Sequence, residues 1–194
     1  GQEIVAYNDA SRDIYFIVSG QAQATVFSES GRQVALSDLN AGDMFGELSA
    51  LDGRPRSAHV LAQTDASICK MSPDDFAKVF ERYPIVAKAT LQRLTGLVRQ
   101  LCERVFEMST LPVKHRIHAE LLRLALQHMT TENTAIIAPA PTHQEIANHV
   151  GTQREGVTKE LGQLKKMGII EAQRKMLIIK DVAGLRKLVQ QLTH

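Results

Sequence analysis

The sequence predicts an α+β chain: an N-terminal antiparallel β-roll, one long helix and a C-terminal winged helix-turn-helix. Three observations carry this. The first third sets short β-branched and aromatic runs between glycine turns. The middle holds an apolar repeat at alternating spacings of four and three. The last third has two helix-start signatures around a glycine, then two strand-like runs.

The elements follow in order. Residues 3–7, 13–18 and 22–27 read as strands, with Ser19-Gly20, Ser30-Gly31 and Ala41-Gly42-Asp43 as turns. Residues 66–71 close the roll. Ser72 then caps a helix with Pro73 at its first position and Asp74 and Asp75 in its first turn. Pro84 starts a long helix running to about Ser109. Along it, Ala87, Leu91, Leu94, Val98, Leu101, Val105 and Met108 form a heptad seam. Such a stripe needs a partner. A parallel coiled coil with a second copy is the simplest, and packing against the chain's own domain is the alternative. Leu91, Leu94, Val98, Leu101, Val105 and Met108 are the expected dimer contacts.

Leu111-Pro112 marks a break, because proline disfavours helix in the residue before it. An amphipathic helix follows with Ile117, Leu121, Leu122, Leu124 and Ala125 on its apolar face. A strand is expected at residues 135–138. Thr142 with Glu145, and Thr152 with Glu155, read as two capping boxes around a turn at Gly151. Ile146, Ala147, Val150, Val157, Leu161 and Leu164 form the core between the two helices, and Gly168 stops the second. Residues 169–172 and 176–179 read as wing strands joined at Gln173-Arg174-Lys175. Asp181 caps a last helix carrying Leu185, Leu188, Val189 and Leu192. The domains are therefore 1–83, 84–110 and 111–194.

Composition narrows the class. Of 194 residues, 44% are hydrophobic and 23% charged, as in ordinary globular proteins. No apolar run approaches the ~18–20 residues of a membrane helix, so no membrane partner is expected. Cys69 and Cys102 make neither a disulfide framework nor a metal cluster, which suits a reducing cytoplasm. His59, His115, His118, His128, His143 and His149 are scattered without metal-ligand spacing, so no metal is expected. The chain opens on Gly1 just ahead of a strand, which predicts a preceding segment. Charge is segregated. Residues 1–83 carry seven Lys/Arg against twelve Asp/Glu, and residues 110–194 carry twelve against seven. The basic end is where a polyanion would dock.

Residues 45–58 hold the first chemical signature. Gly46 lets backbone approach a ligand, and Glu47 is an acceptor suited to a sugar hydroxyl. Arg56 offers a planar donor fork to a phosphate. Ser57 adds a hydroxyl, and Ala58 leaves its N–H accessible. The alternative is a surface loop whose arginine pairs locally. The second signature lies on the second helix of the helix-turn-helix. Gln153, Arg154, Thr158 and Lys159 share an exposed face near its start, the end that enters a major groove. Arg154 suits guanine, Glu155 suits cytosine N4 unless it is spent on its capping box, and Lys159 suits guanine or phosphate. Arg174 and Lys175 suit phosphate.

Residues 46–48 and 56–58, the heptad helix and the winged helix-turn-helix together resemble the cAMP receptor protein family of bacterial transcription regulators, across essentially the whole chain. The resemblance implies a homodimer that binds double-stranded DNA, takes cAMP or cGMP as allosteric ligand, engages RNA polymerase and is no enzyme. It adds Leu48 to the cyclic-nucleotide residues and Thr142 and Thr152 to those facing DNA. Arg154-Glu155 with a basic residue at 159 resembles the subgroup that reads a TGTGA-type half-site, where this chain has Lys159 in place of the usual Arg. The cAMP-binding members place a Thr-Ser pair on the long helix against the purine. Leu101 and Cys102 stand there in this chain, so the base half of the site is altered. The iron–sulfur members need an N-terminal cysteine cluster, which these residues lack. Regulators working without a cyclic nucleotide, or on another effector, are the alternative. An enzyme acting on a cyclic nucleotide would need a metal pair or a nucleophile–base set, and neither is evident.

Overall fold

A short, mixed sequence buries its apolar positions by closing strands into two facing sheets. In the computed structural model, which describes residues 1–190, seven strands build this roll. They are β1 (Glu3–Val5), β2 (Ile14–Ser19), β3 (Gln21–Phe27), β4 (Gln33–Asn40), β5 (Met44–Phe45), β6 (His59–Ala62) and β7 (Ser67–Met71). One sheet runs β1-β6-β3-β4 and the other β5-β2-β7. Every pairing in them is antiparallel. Val5, Ile17, Ala22, Leu39, Phe45 and Val60 make the core. Burying a Val or Ile side chain stabilises by roughly 1.5–3 kcal/mol. Tyr15 and Phe45 stack at 5.0 Å. The β3–β4 register shifts between Ala24 and Thr25. The bulge leaves Thr25 fully buried, with its hydroxyl donated to the Val34 carbonyl.

Three strands here escaped the sequence reading: β4, β5 and β6. β4 is half polar and buries only Ala35 and Leu39. Its identity comes from pairing with β3, not from its own alternation. Inside the stretch read as a turn lies a short helix, α1 (Glu47–Asp52), bracketed by Gly46 and Gly53.

α2 (Pro73–Arg82) starts as its sequence predicts, with the Ser72 side chain accepting from the Asp75 N–H and Pro73 at the first position. α3 (Pro84–Thr110) is the long helix. Among the described residues its seam is left largely uncovered: Leu91 is 64%, Val98 59% and Val105 64% exposed. Leu101 and Met108 are exposed too, and Leu94 is half-buried. On another side Thr90 is buried, and Arg93 bonds the Asp43 carboxylate at 2.5 Å and the Met44 carbonyl at 3.0 Å. The chain divides into two compact units, residues 1–101 and 102–194, and the division falls within this helix.

The second unit packs α4 (Val113–Gln127), α5 (His143–Val150), α6 (Arg154–Lys166) and α7 (Val182–Gln190) with a sheet of β8 (Ala135–Ile137), β9 (Ile170–Gln173) and β10 (Met176–Ile179) in the order β8-β10-β9. Ile117, Leu121, Ile146, Val157, Leu164 and Leu185 anchor its core. Pro112 is extended at φ −56 and ψ 152, and breaks α3 from α4. The Asp181 carboxylate accepts from the Gly184 N–H and caps α7; that bond and one from Asn133 hold its pKa below the usual range. Leu188 packs against the core, while Leu192 lies outside the described residues.

One capping box forms and the other does not. Thr142 and Glu145 exchange both bonds at the start of α5. The Thr152–Glu155 box is corrected. Gly151 closes α5 in the left-handed region at φ 66, and this closure commits the Thr152 N–H to the Ala147 carbonyl. α6 therefore starts one residue later, with Gln153 at its N-cap and no side-chain cap bond. Glu155 is left unspent. Thr142→Ala is expected to destabilise the protein by about 1 kcal/mol, and Thr152→Ala by less than about 0.5 kcal/mol. Paired denaturant melts measure both.

Candidate functional site

Gly46 is the pivot of the first site. Its φ of 83 lies in the left-handed region. A Cβ there would meet Arg56 Nη1 at 2.6 Å and the Asp13 carbonyl at 2.8 Å. Only glycine allows this approach. Arg56 is 3% exposed, and its fork faces protein rather than solvent. Nη1 donates to the Gly46 carbonyl at 3.0 Å, Nη2 to the Asp13 carbonyl at 2.7 Å and Nε to Ser11 Oγ at 3.2 Å. The guanidinium also lies 5.6 Å from the centre of the Tyr15 ring. Its main chain is held as well, by Asp9 O and Asn8 N at 2.9 Å each.

Glu47 follows Gly46 directly and is buried. Burial pushes its carboxyl above the usual range, against the pull of its own backbone N–H and the Arg93 and Arg56 charges. The cassette thus brings a buried acid and a buried arginine to one glycine. Leu48 and Ser57 are exposed, and Ala58 is half-buried. Leu101 and Cys102 lie on α3 with exposed side chains.

The second site is the exposed face of α6. Gln153, Arg154, Glu155, Thr158 and Lys159 are all exposed, whereas Val157, Glu160 and Leu164 point inward. Among the described residues Arg154, Glu155 and Lys159 keep their side chains without a partner. The Thr158 hydroxyl is engaged, donating to the Arg154 carbonyl at 3.0 Å and lying 2.7 Å from His143 Nδ1. Thr142 is exposed and Thr152 half-buried. Arg174 and Lys175 are exposed at the β9–β10 turn.

The comparisons agree with this geometry. Residues 1–83 match the cyclic nucleotide-binding domain, and residues 115–188 match the Crp-like helix-turn-helix domain. The chain belongs to the Crp/Fnr family of transcription regulators. Among its relatives is the cAMP-activated global transcriptional regulator CRP of Salmonella typhimurium. The two are 28% identical over 177 residues, covering 91% of this chain and 84% of the relative. The CRP-like cAMP-activated regulator of Mycobacterium tuberculosis is 28% identical over 188 residues, covering 96% and 84%. A mutant of CooA from Carboxydothermus hydrogenoformans shares the fold at a TM-score of 0.86, with 20% identity over 97% of this chain and 84% of that one. The c-di-GMP-responsive regulator CLP of Xanthomonas campestris does so at 0.78, with 19% identity over 92% and 89%. The chain thus joins a cyclic nucleotide-binding domain to a Crp-like helix-turn-helix domain. Among the described residues no helix is long and apolar enough to cross a membrane, and no group of three or more His, Cys, Asp or Glu side chains could hold a metal.

Sequence reasoning missed the polar partners behind both sites, half-buried at the first and buried at the second. Arg93 docks α3 on the β4–β5 turn, and no motif announced it. His118 is fully buried on α4, with Nε2 2.6 Å from Glu160 Oε1 on the inner face of α6. Burial holds the His118 pKa below its ordinary value despite Glu160, and the His115 and Lys114 charges add to the lowering. The neutral ring then donates from Nε2 to the carboxylate. The only sequence signal was an ionisable residue on an otherwise apolar face.

Glu47 carries a pH signature. A carboxyl raised above its ordinary 4.5 keeps a proton that the unfolded chain has already released. Stability therefore falls as pH rises from 4.5 through the folded value. Glu47→Gln cannot release that proton. Its unfolding free energy, followed by denaturant titration upward from that pH, is expected to gain on the wild type.

Proposed function

We propose that this chain is a ligand-gated, DNA-binding homodimer. A cyclic nucleotide, cAMP first and cGMP second, occupies the roll. The loaded dimer binds a TGTGA-type palindrome, recruits RNA polymerase and works in the cytoplasm. The observation that carries this reading is the pair of buried polar residues at Gly46, Glu47 following it and Arg56 bonded to its carbonyl, in a chain that also presents Arg154, Glu155 and Lys159 without a partner among the described residues. Its relatives described as cAMP-activated support it.

In this reading Arg56 releases the Gly46 and Asp13 carbonyls for the ligand's phosphate, and Glu47 accepts from a ribose hydroxyl. Bonds from the guanidinium to two neutral carbonyls give way to bonds in which donor and acceptor are both charged. Gly46, Leu48, Ser57 and Ala58 shape the pocket, and Leu101 and Cys102 face the base. On the DNA side Arg154, Glu155 and Lys159 read bases. Gln153, Thr158, Thr142, Thr152, Arg174 and Lys175 position the helix and contact phosphates. The exposed seam of Leu91, Leu94, Val98, Leu101, Val105 and Met108 pairs two copies. This spaces the two recognition helices about one DNA turn apart.

A second reading is a family member that binds DNA without a cyclic nucleotide, or with another effector such as the c-di-GMP to which the Xanthomonas regulator responds. Two observations favour it. Arg56 is already satisfied by the protein's own acceptors, and Leu101-Cys102 offers the purine little hydrogen bonding. DNA binding on a TGTGA palindrome at fixed salt, with cAMP, cGMP, c-di-GMP or no ligand, separates the two. A ligand-gated regulator tightens with one of the cyclic mononucleotides, whereas equal affinity in every arm, or tightening with c-di-GMP alone, supports the second reading.

Two variants sharpen the test. Arg56→Lys keeps the charge but loses the fork, and is expected to weaken cAMP binding about 100-fold by calorimetry. Val98→Glu places like charges on the seam, and sedimentation is expected to show monomer where the wild type is dimeric.

A further inference from the structure

Backbone hydrogen bonds stop on either side of Leu111-Pro112. The Leu111 N–H closes α3 on the Glu107 carbonyl, and the His115 and Arg116 N–H groups open α4 on the Pro112 carbonyl. Proline adds no donor of its own. Side chains span the gap instead. Glu107, on the last turns of α3, holds Arg123 of α4, with Nη2 3.0 Å from its Oε1. Arg123 Nη1 also pairs with Glu120, one turn earlier on α4. The other Glu120 oxygen lies 3.0 Å from Nδ1 of His149, on the last turn of α5. One chain of four side chains thus runs from α3 across the break, through α4, to the first helix of the helix-turn-helix.

The centre of this chain is buried. Glu120 is only 4% exposed, so it must be paired to stay ionised. Burial alone would favour its neutral form. The His149 bond and the charges of His149, Arg123 and Arg104 outweigh this and hold it below the usual carboxylate range. Losing either Glu120 contact would leave a buried charge short of a partner, so the centre of the chain resists breakage. A rigid link of this kind carries force between helices where a lone exposed pair would not.

We propose that Glu107, Arg123, Glu120 and His149 form a strut that passes the state of the long helix to the helix-turn-helix, with Arg123 as its central positioning residue. This rests on the ligand-gated reading above. A ligand acting on α3 would shift its last turns, and Glu107 would move Arg123, Glu120 and α5 with it. The break supplies the freedom, and the strut decides which arrangements of α5 and α6 that freedom permits. With the strut cut, the ligand still binds, but the DNA-reading helices follow it less closely.

The test uses the full chain with Glu107→Gln and Arg123→Met. Glu107→Gln cuts the half-exposed end and leaves the buried Glu120 cluster paired, so it tests the strut even where Arg123→Met only destabilises the fold. Hydrogen exchange is followed at the Leu111, His115 and Arg116 amides without ligand. DNA affinity is measured with and without cAMP. In both variants exchange at these amides is expected to speed about tenfold while α7 exchanges as in the wild type. The cAMP-induced gain in DNA affinity is expected to fall about tenfold. Unchanged exchange at the break in Glu107→Gln overturns the strut, as does a cAMP gain equal to the wild type's. A wild type that ignores cAMP counts against ligand gating alone, because the exchange comparison still decides the strut.

Discussion

A charge taken out of water has to be met by an opposite charge or by directed hydrogen bonds. The polar design of this protein follows from that constraint at three places. Arg56 meets it with two carbonyls and a hydroxyl. His118 and Glu160 meet it with each other. Glu120 meets it with His149 and Arg123. In each case at least one partner comes from an element distant in sequence, and that contact also fixes packing. Arg56 ties the cassette to the segment before β2. His118 pins α6 to α4 by its inner face. Glu120 ties α5 to the same α4 helix. The exposed face of α6 can stay unpaired because its inner face is held so firmly.

The sequence made some of this legible and not the rest, and the reason is range. Ser72-Pro73, Thr142 with Glu145, and Leu111-Pro112 act within a few residues, and each is realised where it was read. The heptad seam was legible because periodicity is local too, and its exposure is the outcome of finding little cover among the described residues. Thr152 with Glu155 had the same local spelling as the first box and failed. The Thr152 N–H had a stronger claim from the closure of α5 at Gly151. β4 and β6 were illegible because their strand identity lies in the partner, β3, rather than in their own alternation. The buried polar pairs were illegible for the same reason, with separations of 42 residues for His118–Glu160 and 29 for Glu120–His149.

The cassette illustrates the limit most sharply. Its residues were readable, yet their state was not. An arginine beside a serine in that pattern suggests an open fork awaiting an anion. Three protein acceptors fill the fork instead, and Glu47 beside it is buried enough to resist ionisation. Neither fact is written in residues 45–58. The filled fork depends on Asp13 and Ser11 from the segment before β2, and the state of Glu47 on a burial that outweighs the pull of Arg93 from α3.

That occupied fork bears on how gating can work. A ligand shifts an equilibrium only by its differential affinity for the two states. If Arg56 were open and waiting, phosphate binding would be strong but need change little else. In the ligand-gated reading proposed above, a phosphate taken by this held arginine would break its bonds to Gly46 and Asp13 and free the start of α1. Part of the gross interaction is spent on rearrangement, which lowers affinity and gives the ligand something to rearrange. Arg93 sits close enough to Glu47 to favour its ionised form, and it also anchors α3 to the turn before β5. A change of charge or position at Glu47 therefore acts on a residue of the long helix itself. The coupling can begin within the first compact unit, before any movement reaches the break at Leu111-Pro112.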